Sequence, residues 1–86
     1  MQLIRTERFK RAYRRLEKPD QERVKQALVR LLADRTHPGL RVKRVQGTAK
    51  VWELRAGRDI RVTFEIKENA IILRNVGHHD STLRNP

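Results

Sequence analysis

The 86-residue sequence contains no cysteine. Disulfide cross-links and thiolate metal sites are thereby excluded, and the composition suits a reducing cytoplasm, which is the expected location. Aromatic residues are scarce: two phenylalanines, one tyrosine and one tryptophan make up 5% of the chain. All four, Phe9, Tyr13, Trp52 and Phe64, fall at positions that the apolar periodicity assigns to a core. Little is left for a single-strand-binding surface built on stacked aromatic platforms. Long apolar runs are missing too. Ala70-Ile71-Ile72-Leu73 is far too short to cross a bilayer, and Met1-Gln2-Leu3-Ile4-Arg5 lacks the apolar stretch of a secretion signal. No membrane partner is expected, because no helix combines a basic face with a wide, bulky apolar one.

Acidic residues are the remaining shortage. Twenty-one Lys and Arg face ten Asp and Glu, a formal charge of +11. The excess is even, with eleven basic against five acidic residues over positions 1–40 and ten against five over 41–86. The folded body itself is therefore basic, with no separate arm. Such a body attracts polyanions: nucleic acid first, since phosphate contacts release counterions, and an acidic protein second. The length implies one domain over 1–86, burying only about 60–65% of its unfolded surface. With 37% apolar residues, its core must be small.

Residues 2–5 read as a short strand. Thr6 then caps a helix in which Phe9, Ala12, Tyr13 and Leu16 form one buried stripe. Lys18-Pro19-Asp20 interrupts it, proline being tolerated at the start of a helix and not inside one. In the next helix Val24, Ala27, Leu28, Leu31 and Leu32 line one side. Thr36-His37-Pro38-Gly39 ends that helix, and the period changes from helical to alternating. Residues 51–55 alternate, Ala56-Gly57-Arg58-Asp59 turns, and Ile60, Val62, Phe64 and Ile66 alternate with Arg61, Thr63 and Glu65. Lys67-Glu68-Asn69 turns again before a last strand over 70–76. The fold expected is α+β: an N-terminal strand, then an antiparallel two-helix hairpin packed on one face of an antiparallel β-meander, with Arg61 on the uncovered side.

Several of these residues carry chemistry. An arginine in mid-strand is held rigidly and can grip a phosphate by two parallel hydrogen bonds, so Arg61 is a phosphate ligand or else the cross-strand partner of Glu53 or Glu65. Lys43 and Arg44, just before Val45-Gln46-Gly47, either present charge to a polyanion or guard an edge strand against aggregation. Arg8, Arg11, Arg14 and Arg15 form a solvated basic face on the first helix. The stretch His78-His79-Asp80 follows the last strand. Adjacent residues of an extended chain point to opposite sides, and His37 is the only other histidine, so no metal site is expected. Histidine titrates near neutrality and, beside arginines, can act as acid or base in cutting a phosphodiester. The alternative is a polar tail.

The element order and three motifs, "VKRVQG", "VWELRAGRDIRVTFEI" and "NVGHHD", together resemble the RelE/ParE toxin superfamily of bacterial toxin–antitoxin systems. The likeness runs from about Leu3 to Leu83. It implies a toxin that enters the ribosomal A site and cleaves mRNA there, held inactive in a hetero-oligomer by a cognate acidic antitoxin. Arg44 matches a basic position of the RNA-cleaving members, Arg61 the arginine at the scissile phosphate, and His79 a late position filled by histidine or arginine. His78 is its neighbour in the same motif. Lys43, Arg44, Arg55, Arg61 and Arg74 are the implied RNA-binding set, with catalysis by Arg61, His79, His78 and Arg44.

Attack by the RNA's own 2′-hydroxyl needs a base, a cation at the phosphate and an acid for the leaving oxygen, and no metal or cofactor. Glu53 or Glu65 is a further candidate base. Leu83 departs from the relatives, which often carry tyrosine or phenylalanine near this position. The rival reading is a ParE-like toxin that poisons DNA gyrase by binding without cutting nucleic acid.

Overall fold

The computed structural model describes residues Met1–Pro86. Its centre is a five-stranded sheet in the order β1-β5-β4-β3-β2. The strands are β1 (Gln2–Arg5), β2 (Lys43–Arg44), β3 (Trp52–Arg55), β4 (Ile60–Lys67) and β5 (Ala70–His78). β1 runs parallel to β5, and every other pairing is antiparallel. The helices are α1 (Glu7–Arg14), α2 (Lys18–Ala33) and α3 (His79–Arg84), with a 3-10 turn at Pro38–Leu40.

The start of α1 follows from Thr6. Its hydroxyl oxygen accepts the Phe9 amide at 3.1 Å, satisfying one of the free donors of the first turn, and donates to the Leu73 carbonyl at 2.7 Å. One side chain thus both begins the helix and ties it to β5. Pro19 lies in the first turn of α2, where its missing N–H costs nothing. Across the hairpin, the Tyr13 hydroxyl donates to the Gln21 carbonyl while Gln21 Nε2 donates to the Tyr13 carbonyl. Phe9, Val24, Ala27, Leu28 and Leu31 then pack on Leu54, Val62, Phe64, Ile71, Leu73 and Val76 of one sheet face.

Three expectations change. Leu32 is 44% exposed, because Val24, Ala27, Leu28 and Leu31 already fill the width of α2 that meets the sheet. β5 runs two residues beyond 76, and the residues after it form α3 rather than a tail. The face away from the hairpin is not open at its centre: α3 packs against β4 and β5, and Arg61 and Thr63 are buried there.

Gly77 explains how α3 comes so close. A Cβ at this position would lie 2.7 Å from Thr82 Oγ1, and Thr82 is only 2% exposed. Gly77→Ala is therefore expected to overpack the contact and cost ~1–3 kcal/mol in denaturant unfolding. Adding Thr82→Ala, which deletes the clashing oxygen, should restore part of that loss. A Gly77→Ala protein with an unchanged midpoint would mean that α3 is not seated on Gly77.

Candidate functional site

The sheet register decides which side chains can act together. Arg55 lies opposite Arg61, Glu53 opposite Thr63 and Lys43 opposite Glu53, so all point to the face away from the hairpin. Gly77 of β5 lies opposite Arg61, and Thr82 of α3 fills the space above it. Beside α3 this face holds a cleft of about 360 Å³, lined by Arg41, Lys43, Glu53, Arg55, Arg61 and His79 together with Val42. Four cations meet one carboxylate and one imidazole. The balance favours an anion.

Arg61 is the floor of the cleft, 7% exposed. Its Nη1 donates to the carbonyls of Ile60 at 3.1 Å and Arg58 at 3.3 Å, and Nε lies 3.9 Å from Glu53 Oε1. These contacts fix the guanidinium and leave Nη2 for an incoming oxygen. Burial lowers the pKa of Arg61 below the ordinary arginine value. The charge of Arg55 adds to that, while Glu53 and Asp59 oppose it. A guanidinium stays protonated regardless, so the depression describes a cation short of solvation, which a phosphate would supply.

His79 opens α3 and contributes its ring to the cleft wall. Its Nδ1 lies 2.9 Å from Asp80 Oδ1, and since a carboxylate only accepts, Nδ1 carries the proton. Nε2 is left as the nitrogen free to take or give one. His78 points elsewhere. Its Nδ1 donates to Asp59 Oδ2 at 2.7 Å, outside the cleft. That bond holds the Asp59 carboxyl below the usual carboxylate range, with slight desolvation opposing it. The alternation expected of adjacent residues thus separates the two rings.

Arg44 and Arg74 do not join this group. Arg44 pairs with Trp52 in the ladder and stacks on its ring, 5.6 Å from the centroid, on the hairpin side of the sheet. The basic residue that reaches the cleft from β2 is Lys43, one position earlier. Arg74 sits at a bulge where the register skips between Thr63 and Phe64, and its guanidinium binds Glu65 and the Pro86 carbonyl. That pairing takes Glu65 out of the cleft as well and leaves Glu53, 4% exposed, as the carboxylate beside Arg61. Arg41 was missed from the sequence, where nothing marks it. Its left-handed backbone (φ 48°, ψ 51°), rare for a residue with a side chain, follows the Pro38–Leu40 turn. No group of three or more His, Asp or Glu side chains is gathered where a metal ion could be held.

The parallel β1–β5 edge and the helical hairpin on one face of the sheet make a fold shared with solved structures of RelE/ParE-type toxins. No protein-family model and no curated protein sequence matches the chain. Solved structures do. The YoeB/ParE toxin from Agrobacterium tumefaciens superposes with a TM-score of 0.77 at 14% identity, covering 92% of this chain and 99% of that one. YafQ from E. coli strain BL21(DE3) gives 0.79 at 9% identity, with 93% and 94% covered. A chain of the RelB–RelE antitoxin–toxin complex from Methanococcus jannaschii gives 0.72 at 17% identity, with 96% and 99% covered.

Proposed function

We propose that this chain is the toxin of a toxin–antitoxin pair and acts as a metal-independent endoribonuclease on mRNA held in the ribosomal A site. The observation that carries the reading is the convergence of a buried, fixed guanidinium at Arg61 with the imidazole of His79 in one cationic cleft. Glu53 takes the proton of the attacking 2′-hydroxyl. Arg61, with Arg55 and Lys43, stabilises charge on the pentacoordinate phosphate, and His79 protonates the departing 5′-oxygen. The ribosome supplies substrate alignment, so few groups suffice. Lys43 replaces Arg44 in this scheme, and His78 supports rather than reacts.

An acidic antitoxin is the partner, its negative charge matching the +11 body. The RelB–RelE complex among the fold relatives supports a partner of that kind. A purely protein-binding toxin of the gyrase-poisoning type has no use for a solvent-starved cation beside an acid–base pair.

The test is cell-free translation with mapping of mRNA 5′ ends, beside a gyrase supercoiling assay. Cuts confined to translated message are expected, with supercoiling untouched. Inhibited supercoiling without any cut would sink the nuclease. Cleavage should also survive chelation of transition metals once the magnesium that ribosomes need is restored. Activity that returned only with added zinc or manganese would remove His79 from proton transfer.

A further inference from the structure

Asp59 closes the β3–β4 turn and touches both histidines at once. Its carboxylate accepts from His78 Nδ1 and its backbone carbonyl accepts the His79 amide, each at 2.7 Å. These bonds fall at the joint where β5 becomes α3. His78 is the N-cap of α3 yet makes no side-chain capping bond, because its ring is turned to Asp59 instead. Farther along, α3 is held by Thr82 against Gly77, and the Asn85 carbonyl accepts from Asn75 Nδ2 and from Arg8. At the joint itself, Asp59 is the anchor.

The same turn also serves Arg61, whose Nη1 donates to the carbonyl of Arg58. Cation and imidazole are therefore referred to one short loop. The Asp59 and His78 side chains are both largely exposed, and an exposed pair of this kind contributes little to stability. Its place at the joint gives it another use.

Resting on the nuclease reading above, we infer that Asp59 is a positioning residue, which holds His79 in the cleft by anchoring the His78–His79 step. The carboxylate restrains His78 from outside the cleft, and the adjacent peptide then sets where the His79 ring enters it. Around the anchor stand Asp20 and Arg23 of α2 and the neighbouring Arg58. His79 faces Arg41, Lys43, Arg61 and Glu53 in the cleft and Asp80 on its own helix. None of these other groups bridges the two histidines.

The experiment compares Asp59→Ala, Asp59→Asn and His78→Ala with the wild type by two readouts. One is single-turnover cleavage on programmed ribosomes. The other is hydrogen exchange at the His79 amide in the free protein. Asp59→Ala is expected to slow cleavage ~10- to 10²-fold, the scale of a misplaced catalytic group, with affinity for ribosomes unchanged. His79 exchange should quicken about two- to fivefold, the scale of one exposed pair, since the backbone bond to Asp59 itself remains.

Asp59→Asn keeps an acceptor for His78 and should recover most of both. His78→Ala should match Asp59→Ala, and the double variant should be no worse than either. Unchanged exchange and cleavage in Asp59→Ala would overturn the assignment. So would a cleavage loss that Asp59→Asn fails to rescue while His79 exchange stays slow, which would place the carboxylate in the chemistry. A wild-type protein that cuts no RNA sinks the nuclease reading instead, and the exchange of His79 then decides the anchoring by itself.

Discussion

Arg61→Ala is expected to lower the rate of mRNA cleavage by ~10²–10³, the usual loss when one preorganised contact to developing charge is removed. The guanidinium is set before substrate arrives. Two backbone carbonyls hold Nη1, and the surrounding sheet excludes most water, so the cation need not reorganise as charge builds on the phosphate. Arg61→Lys should recover only part, because a single ammonium cannot stay on the two backbone carbonyls and also present the planar Nη2 donors to the phosphate. Removing Arg61 also leaves Glu53 buried without its cation, which destabilises by itself. The comparison should therefore be made on variants whose unfolding midpoints have been measured, with Arg61→Ala/Glu53→Gln compared by its midpoint alone, since Glu53 is itself the proposed base. Cleavage at the wild-type rate by a folded Arg61→Ala protein would take the guanidinium out of the mechanism.

His79→Ala should cost ~10²–10⁴ in the cleavage rate, the range for general acid–base catalysis, and leave ribosome binding largely intact. The pH–rate profile distinguishes this loss from that of Arg61. Histidine as a residue type changes charge between about pH 5 and 8, so removing it should abolish one limb of the profile, whereas Arg61→Ala should lower the whole curve. A profile that keeps both limbs in His79→Ala would assign the proton to another group, and Glu53 is then the first to examine.

Periodicity made much of this legible. The alternation of Ile60, Val62 and Phe64 with Arg61 and Thr63 placed the arginine opposite the core, and the ladder puts it there. Thr6 and Pro19 marked helix starts that the hairpin keeps. What periodicity could not supply was the covering of the far face. α3 has six residues and one buried side chain, Thr82, too few to show a helical stripe. Its seat depends on Gly77 being small, which is a tertiary fact.

The exchange of Arg44 for Lys43 has a related cause. A two-residue strand has no alternation of its own, and only pairing with Trp52 and Glu53 decides which side chain meets which face. Arg74 was drawn out of the site by a bulge, and Arg41 was brought in by a left-handed residue after a turn. Neither irregularity is written in the apolar pattern.

The pairing of β1 with β5 has a kinetic consequence. Residues 2–5 find their partners at 70–73, so this edge of the sheet closes only after nearly the whole chain between them has been gathered in. Closing so long a loop must be achieved before its contacts repay it, and parallel pairing at that separation is slow. The α1–α2 hairpin needs no such wait, and local contacts let it form early. Arg61 in β4 and His79 beyond β5 do not depend on that late step, because the antiparallel β4–β5 pairing brings them together and no residue of β1 lines the cleft. The β1 edge is therefore the late-closing part of the fold, whereas the cationic cleft is assembled from strands that are neighbours in sequence.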